Sequence, residues 1–229
     1  MELANLALGL LGLVGGPTLV WFFGSYLRRE VYGRFGSADK VRNHVRGMVR
    51  RRSFPYSQRE AGTFVSVPLE MYVDFLSASC DPRDRQILDR YLTRWIGLQD
   101  LEPTLIAVPK LGNVVLASTV ARRLGLPLVV VYQGSHDLRS RTFDGVVQAG
   151  ERVLVVDDVS ADATFHQQVI ERLQRENVHV VGVVVLVDRP EGGCARMFED
   201  AGIPFFPVLS LDDAAVRRLH APRRARSAP

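Results

Sequence analysis

Short apolar runs alternate with amphipathic stretches through the middle of the chain. Runs rich in valine and leucine predict buried strands at 105–108, 128–132, 153–156, 180–187 and 205–209. Apolar residues at helical spacing predict a helix after Asp81-Pro82 and further helices at 114–124 and 165–175. Strands that are apolar on both faces and separated by helices form parallel sheets. The pattern therefore predicts an α/β fold with a parallel sheet, and such sheets bind ligands beyond the carboxyl ends of their strands.

The start of the chain has a different pattern. Residues 3–27 carry no charge, and as a helix they would extend about 37 Å, enough to cross a hydrocarbon core of about 30 Å. Trp21, Phe22, Phe23 and Tyr26 near the end of this run are typical of a membrane interface. We therefore predict a transmembrane anchor at 1–27. The arginines that follow predict a single-pass membrane protein whose C-terminal domain is cytoplasmic.

A cleaved signal peptide is the main alternative to this anchor. Signal peptides begin with basic residues, have a shorter apolar run and end at a small-residue cleavage site. Here the start is acidic at Glu2, and Arg28-Arg29 follows the apolar run. These features favour the anchor.

A basic juxtamembrane segment is predicted at 28–54. Within it, residues 37–52 have the pattern of an amphipathic helix, with Val41, Val45, Met48 and Val49 on one face and arginines over most of the rest. Such a helix could lie on an anionic lipid surface. Alternatively, it could pack on the domain through its valines while its charges face water. The sequence leaves both interpretations open.

Charge is distributed unevenly along the chain. Residues 28–60 carry a net charge of +7, residues 61–216 carry −7 and residues 217–229 carry +5. An acidic body between basic ends argues against a specific nucleic-acid partner. A hydrophobic content of 47% excludes a wholly disordered chain, and two cysteines are too few for a disulfide scaffold. We expect residues 221–229 to form a disordered basic tail.

Two adjacent acids, Asp157 and Asp158, follow the predicted strand at 153–156, and a helix begins soon after them. Carboxylates at a strand end can accept hydrogen bonds from sugar hydroxyls, or from water around Mg²⁺. The free amides at a helix start can bind a phosphate group. Many α/β proteins end strands with acids, so the pair alone is weak evidence of function.

Four stretches in a fixed order carry a resemblance to a known family. Residues 153–164, VLVVDDVSADAT, resemble the phosphoribosyl-pyrophosphate (PRPP) signature of type I phosphoribosyltransferases. The turn DRPEGG at 188–193 resembles the DR-x-E-x-G turn of the orotate phosphoribosyltransferase branch. AVPKLG at 107–112 falls where that branch has its pyrophosphate loop, and residues 202–212 resemble its final strand and helix. The resemblance implies a parallel-sheet, phosphoribosyltransferase-like domain at 55–220.

The resemblance also implies a binding site for PRPP. Asp157 and Asp158 would face the ribose hydroxyls, and Ser160 and Thr164 would belong to the cradle of the 5′-phosphate. Lys110 and Gly112 would lie beside the pyrophosphate.

A base and a metal ion complete the implied site. Arg189 would face the carboxylate or ring oxygens of a pyrimidine-like base. Mg²⁺ would accompany PRPP as the cofactor, with no separate metal site in the protein. Members of the family commonly pair, so the resemblance also implies a possible homodimer.

The polar stretch 133–146 predicts a long loop and matches the family's mobile catalytic loop in place and length. The family uses lysines and a histidine in this loop to neutralise pyrophosphate. In this chain Arg139, Arg141 and His136 are the candidates for that role, and arginine can stabilise phosphate charge. His136 could equally be an ordinary exposed loop residue.

The phosphate cradle departs most clearly from the family pattern. The family's cradle is rich in Thr and Gly, whereas this chain has Ala161, Asp162 and Ala163 there. A carboxylate about 5 Å from a phosphate repels it by about 3 kcal/mol per unit charge at an effective dielectric constant near 20. Asp162 is also a good N-cap. If it caps the following helix, it would occupy the amides that a phosphate would otherwise use.

Three functional hypotheses follow from the sequence. In the first, the chain is a membrane-anchored protein that binds PRPP or a nucleotide and has weak or lost transferase activity. In the second, it is an active phosphoribosyltransferase that joins an orotate-like base to PRPP. In the third, it is a structural, membrane-tethered partner protein. The altered cradle favours the first hypothesis narrowly over the second, and the retained acids and Arg189 argue against the third.

Overall fold

The computed structural model describes residues 38–55, 69–110, 113–132 and 142–220. The predicted anchor at 1–27 and the basic tail at 221–229 therefore lie outside the described residues. Among the helices of the described ranges, none combines the length and apolar character that crossing a membrane requires.

The described part of the chain forms seven α-helices and eight strands. The helices are α1 (Ala38–Arg52), α2 (Phe75–Cys80), α3 (Pro82–Gly97), α4 (Val114–Leu124), α5 (Ala163–Arg175), α6 (Cys194–Asp200) and α7 (Asp213–His220). The strands are β1 (Ser53–Pro55), β2 (Met71–Val73), β3 (Leu105–Pro109), β4 (Leu128–Val131), β5 (Phe143–Asp144), β6 (Arg152–Ser160), β7 (His179–Asp188) and β8 (Phe205–Ser210). A single 3₁₀ turn covers Pro190–Gly192.

Six of the strands form one sheet in the order β5-β4-β3-β6-β7-β8. All neighbouring pairs are parallel except β4 and β5, which are antiparallel. The strands β1 and β2 form a separate antiparallel hairpin in which Ser53 pairs with Val73. The predicted α/β architecture with a parallel sheet is thus confirmed.

Helices cover both faces of the sheet, as the continuous apolar runs predict. Side chains alternate along a strand, so Val153 and Val155 of β6 face one layer while Leu154 and Val156 face the other. Helices α1, α2, α3, α4 and α7 contribute to the layer that contains Leu154. Helices α5 and α6 contribute to the layer that contains Val153. Each face of the sheet is thus covered by an apolar core, and the ends of the strands remain available for a binding site.

Helix α1 packs into the first of these layers through its apolar face. Val41, Val45, Met48 and Val49 are buried there. Arg42 lies over the Trp95 ring, 5.2 Å from its centroid, and Arg52 forms an ion pair with Asp84. The packing interpretation therefore holds for the valine face, and the remaining arginines on the outer face stay available to solvent.

Two differences from the predicted strands are larger than one residue. The stretch 133–146 was predicted as loop throughout, but Phe143–Asp144 pair with β4 as a short strand. Strand β6 continues four residues beyond the predicted end at 156, because β7 runs alongside it and Ser160 pairs with Asp188. The acidic pair consequently lies inside the ladder and not in a loop, which limits how far its side chains can move.

Candidate active site

Strands β3, β6 and β7 end at the same edge of the sheet, and most of the predicted site residues lie there. Asp157, Asp158 and Ser160 are among the last four residues of strand β6, and Thr164 is in the first turn of helix α5. Arg189 directly follows β7, and its amide donates to the carbonyl of Ser160 at 2.8 Å. The fold therefore brings these residues together at the position where parallel sheets bind ligands.

The two adjacent acids point to opposite faces of the sheet. Asp157 is 3% exposed and lies on the side of α5. Asp158 is half-buried and faces α4, where the side chain of Asn113 donates to it at 3.1 Å. The Asp158 amide donates to the Asp157 carboxylate at 2.8 Å, which ties the two residues together. Contacts from β6 itself, from α5 and from the residue that caps α4 thus fix the positions of the two acids.

Burial and mutual repulsion affect the charge on this pair. Burial and the neighbouring Asp157 charge together raise the pKa of Asp158 to about 8, against the opposing effect of the hydrogen bond from Asn113. A carboxyl group with such a pKa keeps its proton at neutral pH. At neutral pH one member of the pair is therefore a hydrogen-bond donor.

Asn113 is a site residue that the sequence analysis did not identify. It caps α4 by accepting from the Leu116 amide at 3.0 Å. Its amide nitrogen donates to the Phe75 carbonyl, to Ser79 and to Asp158. An asparagine before the helical pattern at 114–124 is a capping signal, but its contacts depend on α2 and β6 being brought next to it.

Asp162 caps α5 with its own carboxylate. Its Oδ1 accepts from the amides of Thr164 at 2.9 Å and Phe165 at 3.4 Å. The predicted capping role is confirmed. The amides at the start of α5 are therefore already bound to an anion that belongs to the chain.

The two hydroxyl residues of the predicted phosphate cradle have different surroundings. Ser160 is fully buried, and its hydroxyl donates to Asp188 at 2.9 Å. Thr164 is exposed at the start of α5. Only the hydroxyl of Thr164 is accessible from solvent in this arrangement.

Arg189 is directed into the protein. Its side chain is 1% exposed, donates to the Met71 carbonyl at 2.8 Å and forms an ion pair with Asp213. Asp213 also accepts from the amides of Glu70 and Met71. Burial raises the pKa of Asp213, but the bond from Glu70, the Arg189 charge and the bond from Met71 outweigh it, and the pKa lies below its usual value. The guanidinium thus connects the β1–β2 hairpin to α7.

The turn after β7 lies directly against the cradle. A Cβ atom on Gly192 would be 2.4 Å from the carbonyl carbon and oxygen of Ala161, so only glycine allows this approach. The DR-x-E-x-G turn and the residues 160–164 therefore form one packed unit.

The remaining predicted site residues are at or beyond the end of β3 and β4. Lys110 follows β3, is exposed, and its Nζ lies over the Tyr132 ring at 4.4 Å from the centroid. Gly112 and the loop residues His136, Arg139 and Arg141 lie outside the described residues. Their predicted contact with pyrophosphate stays a prediction.

An α/β sheet with an acidic pair and a helix start at one edge defines a class of nucleotide- or phosphosugar-binding proteins. Residues 85–200 match the phosphoribosyl transferase domain family. The chain therefore belongs to the type I phosphoribosyltransferases, and its resemblance is to the orotate phosphoribosyltransferase branch.

Individual relatives agree with this assignment. The chain is 30% identical over 145 residues to an orotate phosphoribosyltransferase of Methanothermobacter thermautotrophicus, covering 63% of this chain and 78% of that protein. It is 27% identical over 143 residues to the orotate phosphoribosyltransferase of Pyrococcus horikoshii, covering 62% and 76% of the two chains. The orotate phosphoribosyltransferase of Mycobacterium tuberculosis in complex with PRPP has the same fold, with a TM-score of 0.58, 24% identity, and coverage of 79% and 93%.

The raised pKa of Asp158 makes stability depend on pH. Above about pH 4 the unfolded chain releases this proton while the folded chain keeps it, so the free energy of unfolding falls as the pH rises toward about 8. We expect Asp158→Asn, which mimics the protonated acid, to stabilise the protein by about 2 kcal/mol or more at pH 8 and by almost nothing at pH 4. Urea denaturation at both pH values measures this. Asp200→Asn, an exposed acid on α6, is the control, and an equal effect of Asp158→Asn at both pH values would contradict the prediction.

Proposed function

We propose that the chain is a phosphoribosyltransferase that transfers the phosphoribosyl group of PRPP to a pyrimidine-like, orotate-like base. The observation that carries this proposal is the acidic pair at the end of β6 in a domain that belongs to the family. Identity of 30% to an orotate phosphoribosyltransferase supports the choice of base.

The reaction makes one bond and breaks one. A nitrogen of the base bonds to C1′ of the ribose, the bond from C1′ to the pyrophosphate oxygen breaks, and pyrophosphate leaves with the electron pair while the base loses its nitrogen proton. Positive charge develops on the ribose ring in the transition state. The protein must therefore neutralise the leaving group and orient the sugar.

In this proposal the residues at the strand ends bind different parts of the substrates. Asp157 and Asp158 bind the ribose hydroxyls, and Lys110 with Gly112 lies beside the pyrophosphate. The predicted loop residues that neutralise the leaving group are Arg139, Arg141 and His136. Thr164 offers its exposed side to the 5′-phosphate, whereas the resemblance alone assigns Ser160 to the phosphate cradle and Arg189 to the base, since both side chains are buried here. Pairing of two copies, which the resemblance implies, stays a prediction.

Mg²⁺ enters this proposal with the substrate. Within the described ranges, no three His, Cys, Asp or Glu side chains come together in a way that could hold a metal ion. Mg²⁺ is often bound mainly by water and substrate phosphates rather than by a protein cage. The oxygens of PRPP are the natural ligands here, and the ion would supply charge neutralisation for the leaving pyrophosphate.

The transferase proposal predicts release of pyrophosphate. With PRPP, Mg²⁺ and orotate, we expect turnover that depends on all three, measured by a coupled pyrophosphate assay. Replacing both Asp157 and Asp158 by Asn should lower kcat/KM by about 10- to 100-fold, because the lost charged hydrogen bond of Asp157 is worth about 1.5–3 kcal/mol. Asp200→Asn on exposed α6 is the matched control. If neither orotate nor a panel of other pyrimidine and purine bases gives turnover, the proposal fails.

A second candidate function is favoured by Asp162. A protein that binds PRPP or a nucleotide with weak or lost activity would explain why the amides of Thr164 and Phe165 are already bound to a carboxylate. The burial of Ser160 and the ion pair of Arg189 with Asp213 point the same way. In this alternative the chain keeps the acids that face the sugar, but its amide donors for the 5′-phosphate are already occupied.

The two candidates differ in what Asp162→Gly does. Glycine removes the carboxylate and is itself an acceptable N-cap, so the helix loses only a few tenths of a kcal/mol. If Asp162 blocks the 5′-phosphate site, the PRPP affinity of Asp162→Gly, measured by calorimetry, should be about 100-fold higher, since about 3 kcal/mol of repulsion is removed. Asp212→Gly, which removes the side-chain acceptor of the Ala215 amide, is the matched control. Unchanged affinity in an active enzyme would eliminate the second candidate.

We further propose that residues 1–27 anchor the protein in a lipid membrane with the domain on the cytoplasmic side. The uncharged run 3–27 and the basic residues that follow it support this. Helix α1 adds to the support, because its valines are buried in the domain and its outer face carries Lys40, Arg46 and Arg50 toward solvent. These charges could contact anionic lipid without the helix leaving the core.

The two cysteines provide a test of this orientation. Cys80 is exposed and Cys194 is buried. A membrane-impermeant maleimide should leave the protein unlabelled in intact cells and label Cys80 after permeabilisation, and the protein should resist extraction by alkaline carbonate. Cys80→Ser, which leaves only the buried thiol, is the control. Recovery in the soluble fraction, or labelling in intact cells, would refute the anchor or its orientation.

A further inference from the structure

His166 is a buried, ionisable side chain that the proposed reaction does not use. It lies in the first turn of α5 and is 2% exposed. Its ring contacts Phe165 and Phe198 edge-on, at centroid distances of 5.4 and 5.8 Å. A histidine enclosed by aromatic rings in this way needs polar partners for both of its nitrogens.

Both ring nitrogens face oxygen acceptors. Nδ1 is 3.2 Å from the carbonyl oxygen of Asp162, and Nε2 is 3.3 Å from the carboxylate of Asp157. The Nε2 contact is close but is not an aligned hydrogen bond. Neither a carbonyl nor an ionised carboxylate can donate a hydrogen. Nδ1 must therefore carry a hydrogen toward the Asp162 carbonyl, and a second hydrogen on Nε2 would face the Asp157 carboxylate.

The Cys194 thiol does not change this conclusion. Its Sγ is 3.9 Å from His166 Nδ1, but it is also 4.0 Å from the carbonyl oxygen of Gly192, which can accept its hydrogen. The thiol thus has an acceptor of its own. Burial lowers the pKa of His166, but Asp157 and Cys194 together raise it to about 10.

Two further carboxyl groups near the ring, those of Asp188 and Asp162, have hydrogen-bond donors of their own. Asp188 on β7 lies close enough for its charge to interact with His166, and its carboxylate accepts from Ser160 and Ser210. The Asp162 carboxylate is bound to the amides of α5. For the acidic pair and the imidazolium together, charge neutrality requires one ionised acid and one protonated acid.

We propose that His166 is a positioning residue for the acidic pair, whose imidazolium keeps Asp157 ionised and leaves the shared proton on Asp158. This inference rests on the proposed function only for the ligand, a ribose diol. The two carboxyls would then differ in chemistry. Asp157 accepts hydrogen bonds only, whereas Asp158 can donate one, so the pair matches a diol in which one hydroxyl donates and the other accepts.

Carbon-13 and nitrogen-15 NMR of the full-length protein without ligand tests the charge assignment directly. At pH 7 we expect imidazolium shifts for both nitrogens of His166, a carboxylate shift for Asp157 and a protonated carboxyl shift for Asp158. In His166→Gln, which keeps a polar side chain without the charge, the two carboxyl carbons should move toward each other as the proton becomes shared. His179→Gln, at the exposed start of β7, should leave both shifts unchanged.

A neutral His166 at pH 7, or two ionised carboxylates at pH 7, would overturn the inference. If His166→Gln does not fold, Asp157→Asn decides instead, since removing the counter-charge should lower the pKa of His166 by at least one unit, and an unchanged value would overturn the inference as well. These spectra need no substrate, so failure of the transferase proposal leaves their outcome intact. If the enzyme is active, kcat/KM for PRPP should fall about 10-fold in His166→Gln.

Discussion

Carboxylates buried at the shared end of β6 and β7 constrain the whole site. The free energy of burying an isolated carboxylate is large compared with the stability of a domain, so each buried acid must be protonated or paired. Here Asp157 faces His166, Asp158 receives a hydrogen bond from Asn113, and Asp188 accepts from two serines. Helices α4 and α5 each contribute one of these partners, so their positions on the two faces of the sheet are coupled to the chemistry at its edge.

Two of the chain's own carboxylates occupy donor groups near this edge of the sheet. Asp162 uses the amides at the start of α5, and Asp213 uses Arg189 together with the amides of Glu70 and Met71. Each is an anion-binding arrangement filled from within. These contacts stabilise the folded chain, and an external anion could use the same donors only by displacing a carboxylate of the chain.

The fold was largely predictable because its strands and helices have clear local patterns. The predicted strands within 105–209, the cap at Asp81, the end of α4 at Gly125 and the cap at Asp162 all agree with the structure. These features depend on residues within a few positions of one another. The β1–β2 hairpin, the short strand β5 and the extension of β6 were missed, since each depends on pairing with another strand, and the short helices α2 and α6 were missed as well.

The sequence by itself determined the order of the main strands and helices, the family, and the presence of two adjacent acids before a helix start, because all of these depend on local patterns of residues. The tertiary structure decided which groups those acids meet. The partners of the site residues lie on other elements, 9 to 142 positions away along the chain: His166, Asn113 and Asp213. Only the packing of helices on the sheet brings them close to the groups that they contact. Charge state and site occupancy follow from those distances, since electrostatic interactions depend on separation in space and on burial, not on separation along the chain.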